Sequence, residues 1–526
     1  MNTLRNRRAF LGEVGRGMVM ATIGAEMASE LGLSTAFASE EAPLTFGSLE
    51  RLVSMMQETP ANKLLPKLVE QLNNGTELRQ LVAAASFANA RTFGGEDYIG
   101  FHTMMALSPA LHMSKELPKE SQALPIFKVL YRNTNRIQEH GGRKGEVLHA
   151  VAPSESSSVK PTGESLRDAV RSKDVDASEK LFAAIARASA DEAFNAVLYA
   201  VHDHTEVHRV VLPYRAWDLL GIIGKEQAHT LLRQSVRYCV KAEGWNYNAE
   251  MNEPKALLPR MLEEHKLLGR IPGTRQVDDA WVDEFSQTLF KSTGAQAAEA
   301  MANALADGVN PAALGEAITL AANQLVLRDI GRTAREEITG KPIGSVHGDS
   351  IGVHASDSAN AWRNMARLTN SRNTYASLIL GAYQVAMDRT NRGGDFPNWK
   401  PLPLQQHLDQ VKATDQQTLL RDAEEAIRGN LQAHAAAIVH RYGALGHPAR
   451  PVFDLLLRYA ISEDGALHAE KFYRTVSEEF ASTREAFRWR HLVALTRVTA
   501  SEFGRPAAGM DEARFLLKLQ SGPKSA

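Results

Sequence analysis

Apolar residues recur at intervals of three and four along most of the chain. Leu181-Phe182-Ala183-Ala184-Ile185-Ala186, running on to Phe194, Val197 and Leu198, shows the pattern. Such spacing lays one apolar stripe along an α-helix and leaves the other faces polar. The same texture returns around 50–87, 294–337, 358–390, 418–442 and 466–500. Alternating apolar and polar positions rich in β-branched residues, the mark of a half-buried strand, are nearly absent. The pattern predicts an all-α protein. Breaks fall where Pro, Gly, Ser and Asn gather, at 153–158, 243–259, 344–352, 391–403 and 443–451. None is long or charged enough to separate independent domains, so one multi-helix body is expected over residues 39–526.

The first 38 residues read differently. Arg7-Arg8-Ala9-Phe10-Leu11 precedes a short apolar run, Gly17 to Ala25, and a small-residue site, Ala36-Phe37-Ala38. This resembles a twin-arginine export signal. Nine apolar residues are too few to span a bilayer, which needs about twenty, and no later segment is long and apolar enough. The segment predicts a cleaved signal peptide over 1–38, the twin-arginine export machinery as a partner, and a periplasmic or secreted location.

Composition removes several chemistries. Sixty Lys and Arg balance 61 Asp and Glu, for a net charge of -1, which does not favour binding to nucleic acid. A single cysteine, Cys239, leaves no intramolecular disulfide framework, no cysteine zinc site and no cysteine-ligated iron–sulfur cluster. The glycine-rich phosphate cradles and the Gly-x-Ser-x-Gly elbow are missing too.

Histidine is the informative residue. His204-Thr205-Glu206-Val207-His208 is not the zinc-protease motif, because Glu206 stands two residues after the first histidine, about 200° away on a helix. Pro213 also speaks against a continuous helix there. A metal reading keeps as candidates His204 and His208, or His347, Asp349 and His354 of the glycine-punctuated loop, with zinc, iron or copper as the ion. His102, His208, His354 and His468 share another feature: each stands just ahead of, or early in, an apolar helical stretch. Ser356 or Asp357 is the expected N-cap after His354. The positive end of a helix dipole favours neutral imidazole, which can ligate a metal or take a proton. Four such settings predict helix ends that converge on one central pocket.

The four segments, in this order, resemble the questin oxidase-like family. His102-Thr103-Met104-Met105 leads to Ala110-Leu111, and His208-Arg209-Val210-Val211 leads to Ala216. His354-Ala355 leads to Ala361-Trp362-Arg363, and His468 with Lys471 gives a late His-x-x-Lys. The third segment carries Ser356-Asp357-Ser358 where the family shows a threonine, and Pro109 and Pro213 fall in segments that the family makes helical. The resemblance implies an all-helical oxidoreductase that oxygenates an aromatic or polycyclic ketone in an apolar pocket, with NADPH as reductant. It implies catalytic roles for His102, His208, His354, His468 and Lys471, and substrate contacts for Arg363, Trp217, Trp362 and Met105. An export signal and NADPH belong to different compartments, so the reductant stays open. A histidine-ligated metal protein of the envelope and a non-catalytic helical scaffold remain as alternatives.

Overall fold

In the computed structural model, which describes residues 43–153, 160–337, 343–346, 350–391 and 394–519, the three-and-four periodicity becomes helix throughout. Among these residues no strand forms, and β-pairing is confined to three isolated bridges. Each long periodic stretch resolves into helices joined by tight turns. The 294–337 stretch becomes Gly294–Ala306 and Pro311–Arg328, and the 418–442 stretch becomes Gln416–Arg428 and Gln432–Ala444. Thr293 and Asn310 cap the first pair, and Pro311 occupies the first helical position, where its missing N–H is not needed. One continuous apolar core runs from Leu52 to Ala513. None of the described helices is long and apolar enough to cross a membrane. The export signal lies outside the described residues.

Four helices position the site: α1 (Tyr98–Lys115), α2 (Val207–Ile223), α3 (Ile351–Leu368) and α4 (His468–Ser482). They pack in a closed ring, α1 on α2, α2 on α3, α3 on α4 and α4 on α1. Side chains are buried nearly all round α1 and α2, so these two sequences show little amphipathic contrast, whereas α3 and α4 keep a polar face.

Two expectations about these helices need correction. Pro109 and Pro213 do not break them; each lies inside its helix and is buried. An interior proline costs roughly 3 kcal/mol, and packing on several sides at once outweighs that. The N-cap of α3 is Ser350, whose hydroxyl accepts from the Val353 N–H at 3.4 Å, so His354 stands in the first turn and Ser356 and Asp357 lie inside the helix. An early serine that can cap serves better than a later one, because it lets the Ile351–Val353 turn join the helix.

Candidate functional site

The ring of helices turns its N-terminal ends toward one point. His102 stands in the second turn of α1, and His208, His354 and His468 stand in the first turns of α2, α3 and α4. All four are buried. Going round, ring centroids are 4.8 Å apart for His102 and His208, 5.9 Å for His208 and His354, 5.2 Å for His354 and His468, and 5.1 Å for His468 and His102. The Nε2 atoms of His102 and His208 are 3.3 Å apart, and those of His354 and His468 are 3.2 Å apart.

The outer nitrogens decide the tautomers. His102 Nδ1 lies 2.6 Å from the Tyr98 carbonyl oxygen, which can only accept, so Nδ1 carries the proton. His208 Nδ1 faces Glu206 Oε1 at 2.5 Å, and His468 Nδ1 faces the Gly465 carbonyl at 3.3 Å. In each neutral ring the inward Nε2 is therefore a bare lone pair. Burial first, then the nearby Lys471 ammonium, push His102 and His468 well below the ordinary imidazole pKa and hold them neutral. The N-terminal dipoles of four helices act in the same direction.

Glu206 organises one side of the centre. It caps α2, accepting from the backbone N–H groups of His208 at 3.0 Å and Arg209 at 2.9 Å, and it also accepts from the Tyr238 hydroxyl at 2.6 Å. Burial would raise its carboxyl, but the His208 ring and these donors overcome that and hold it at about 2. Lys471 stands one turn beyond His468 and is wholly buried. Burial brings its ammonium down to about 8, against the pull of Asp357 and Glu470. Asp357 accepts from the Thr475 hydroxyl at 2.7 Å, and Arg215 donates to the same hydroxyl at 3.2 Å.

A cavity of about 290 Å³ reaches the centre from one side. Tyr98, Ile99, His102, Leu467 and His468 line it, with Arg132, Asp464, Glu502 and Arg505. A larger groove of about 1080 Å³ lies elsewhere, further along α2, α3 and α4, and none of its lining residues is a histidine.

Several sequence candidates fall outside the centre. His204 precedes α2 and turns to Glu243, 3.2 Å from Nε2, and to the Met251 carbonyl, 2.9 Å from Nδ1. It does not share a helix face with His208, because α2 begins at Val207. His347 and Asp349 lie outside the described residues. Trp217 stacks on Phe194 at 4.5 Å and borders the larger groove. Trp362 is core: it is wholly buried, and its indole N–H donates to Gln384 at 2.7 Å. Arg363 also borders the groove and is held by Glu479 at 2.5 Å and the Ser482 carbonyl at 2.8 Å. Met105 is buried on α1, one turn past His102. Tyr98, Glu206, Tyr238, Asp357 and Leu467 were not singled out as site residues. Only Glu206 carried a legible signal, an acidic residue two positions before a histidine at a helix start.

The four imidazoles meet as two contacting pairs; among the described residues, no group of three or more His, Cys, Asp or Glu side chains has the geometry of a metal site. No protein-family model matches the chain, and neither a curated protein nor a solved structure is recognisably similar to it.

Proposed function

We propose that His102, His208, His354 and His468 together hold a transition-metal ion, and that the protein is an oxidoreductase of the questin oxidase-like kind acting on an aromatic ketone. The observation that carries this reading is the meeting of Nε2 lone pairs. At least three rings have their proton fixed on the outer nitrogen. The Nε2 atoms of His102 and His208 stand 3.3 Å apart, a separation that needs a proton or a metal ion between them. Metal–imidazole bonds of about 2.05 Å at tetrahedral angles put neighbouring nitrogens about 3.4 Å apart, which the His102–His208 and His354–His468 pairs approach at 3.3 and 3.2 Å. The donor set fits zinc, iron or copper, since all accept imidazole.

A bound ion of this kind supplies Lewis acidity or one-electron chemistry with oxygen. The chain's own residues do the rest. Glu206, Tyr98 and Gly465 fix the orientation of the imidazoles through their Nδ1 protons. Burial keeps water from the centre and strengthens each electrostatic contact there. Lys471 offers a buried cation toward negative charge developing on a substrate oxygen. NADPH is the reductant that the resemblance implies. The Arg7-Arg8 segment supports a periplasmic or secreted location, reached through twin-arginine export.

The test is elemental analysis of protein purified without a metal-affinity tag, followed by oxygen uptake with aromatic ketones. About one equivalent of metal, lost in both His354→Ala and His468→Ala, is the expected result. Less than roughly a tenth of an equivalent ends the metal reading. The same short Nε2 separations then describe a proton shared within each histidine pair, and the acid–base role of the four imidazoles takes its place.

A further inference from the structure

A turn of left-handed backbone stands directly before His468. Ala466 has φ of +49°, and Leu467 has φ of +66° with ψ of +8°. The His468 N–H donates to the Gly465 carbonyl at 2.8 Å, which closes a turn with both central residues at positive φ. This is the pattern of a type I′ turn, a conformation that glycine and asparagine fill readily. Alanine and leucine are strained in it. The Leu467 side chain is buried, so its packing offsets the strain there. Ala466 has only a half-buried methyl group, and its conformation needs another support.

A buried cation supplies that support. Lys128, on the helix Ala123–Glu139, is buried, and its ammonium meets three oxygens. It donates to the carbonyls of Ala460 at 2.7 Å and Glu463 at 2.6 Å, and it pairs with the Glu470 carboxylate at 2.7 Å. Two of these partners precede the turn, and the third, wholly buried in α4, follows it. Holding both sides at one ammonium closes the chain between them. The Glu463 carboxylate anchors the leading side again, accepting from the Gly504 and Arg505 N–H groups at 2.9 and 2.6 Å.

The closed turn bears on the imidazole. The Gly465 carbonyl accepts from the His468 backbone and also faces ring Nδ1 at 3.3 Å. Relaxation of the turn to ordinary backbone moves that carbonyl away and leaves Nδ1 without its acceptor. Either ring nitrogen can then carry the proton, and Nε2 is no longer a fixed lone pair. Strained backbone persists beside a site only where its surroundings enforce it.

We propose that Lys128 and Glu470 are positioning residues: together they staple the Gly465–His468 turn in its left-handed form and so fix the ring of His468 at the centre. The inference rests on the four-imidazole centre proposed above and adds to it the device that sets one of its members.

The test uses the full chain, isotopically labelled in its histidine ring nitrogens and free of metal. Nuclear magnetic resonance then reports the tautomer of His468, whose signal is the one lost in His468→Gln. Lys128→Met combined with Glu470→Met removes the staple without leaving a buried charge unpaired. The wild type should show one His468 tautomer, with the proton on Nδ1, and the unstapled variant a mixture of two. Cobalt(II) titrated into the same samples should bind the unstapled variant about ten-fold more weakly. Adding Ala466→Gly, which relieves the turn of its strain, should restore the single tautomer and most of the affinity. Lys173→Gly is the control, since Lys173 is exposed and has φ of +62°. Glycine at either position should raise the folding equilibrium constant about five-fold, but only Ala466→Gly should restore His468. A single tautomer in the unstapled variant overturns the proposal, and so does equal restoration by Lys173→Gly. Should the unstapled variant not fold, Ala466→Gly in the wild-type chain decides: a folding constant raised about five-fold supports the strained turn, and an unchanged or lower one overturns it. The two claims separate in the same samples. Tautomers that respond as stated without any cobalt binding end the metal reading and leave the staple, whereas cobalt binding with an unmoved tautomer does the reverse.

Discussion

Glu206→Gln is the sharpest single perturbation of the centre, because it removes a charge and almost no volume. The carboxylate accepts four hydrogen bonds, from the His208 and Arg209 backbone N–H groups, the His208 ring and the Tyr238 hydroxyl. A glutamine keeps one carbonyl oxygen, which serves one of the two backbone N–H groups of the helix cap. Its amide nitrogen then faces either the His208 backbone N–H and Nδ1 proton or the Arg209 backbone N–H and the Tyr238 hydroxyl. The hydroxyl can rotate to accept, but the Nδ1–H cannot. At least one hydrogen bond to a charged acceptor is lost, each worth roughly 1.5–3 kcal/mol. Loss of an outer partner to a ligating histidine typically lowers metal affinity about 10–100-fold. Competition against a chromophoric chelator measures that affinity, and urea unfolding measures the stability. The proportion matters: affinity should fall with helix content unchanged. An affinity within about two-fold of the wild type would show that the His208–Glu206 contact does not orient the ring, and the tautomer argument would fail with it.

Other consequences follow from neighbouring contacts. Gly352, in the first turn of α3, has its missing Cβ position only 2.5 Å from the Val326 backbone nitrogen. Gly352→Ala should therefore destabilise the protein by roughly 1–3 kcal/mol and lower metal content by displacing His354, as urea unfolding and elemental analysis would report. Trp362→Phe leaves the Gln384 carbonyl without its buried donor and should cost roughly 1–3 kcal/mol. Urea unfolding measures that loss, and a stability within about 0.5 kcal/mol of the wild type would refute the role of the bond. Burial would raise the Glu479 carboxyl, but Arg363 and Asn360 hold it below its ordinary value of 4.5. Its contribution to stability is complete above pH 4.5 and is lost as the pH falls through the depressed value. Arg363→Met should flatten that acid limb in a stability profile from pH 6 to pH 3, and an unchanged limb refutes the pairing.

The helical texture was legible in the sequence because the period of a helix is written locally, in which positions are apolar. Four histidines near helix starts were legible for the same reason, as were the polar breaks between stretches. Register within each helix was less so. Pro109 and Pro213 argue for breaks by every local rule, and only the burial of α1 and α2 on several sides overrides them. Ser356 and Asp357 are good caps by type, yet Ser350 caps α3. The aromatic and charged residues two turns past the histidines divided for a reason that only packing supplies. Trp362 faces Gln384 in the core, while Arg363, one residue on, turns to Glu479 and the groove.

What the chain determines by itself is short-range: where helices form, and which carry a histidine in their opening turns. What the fold adds is closure of the ring, in which α1 meets α4 across more than 350 residues of sequence. That contact is decided by the fit of buried surfaces and leaves no periodic mark in the sequence. The partners that fix each imidazole follow the same division. Glu206 and Gly465 are near neighbours of His208 and His468 in the chain, but Tyr238, which holds Glu206, comes from another helix and was brought there by packing alone.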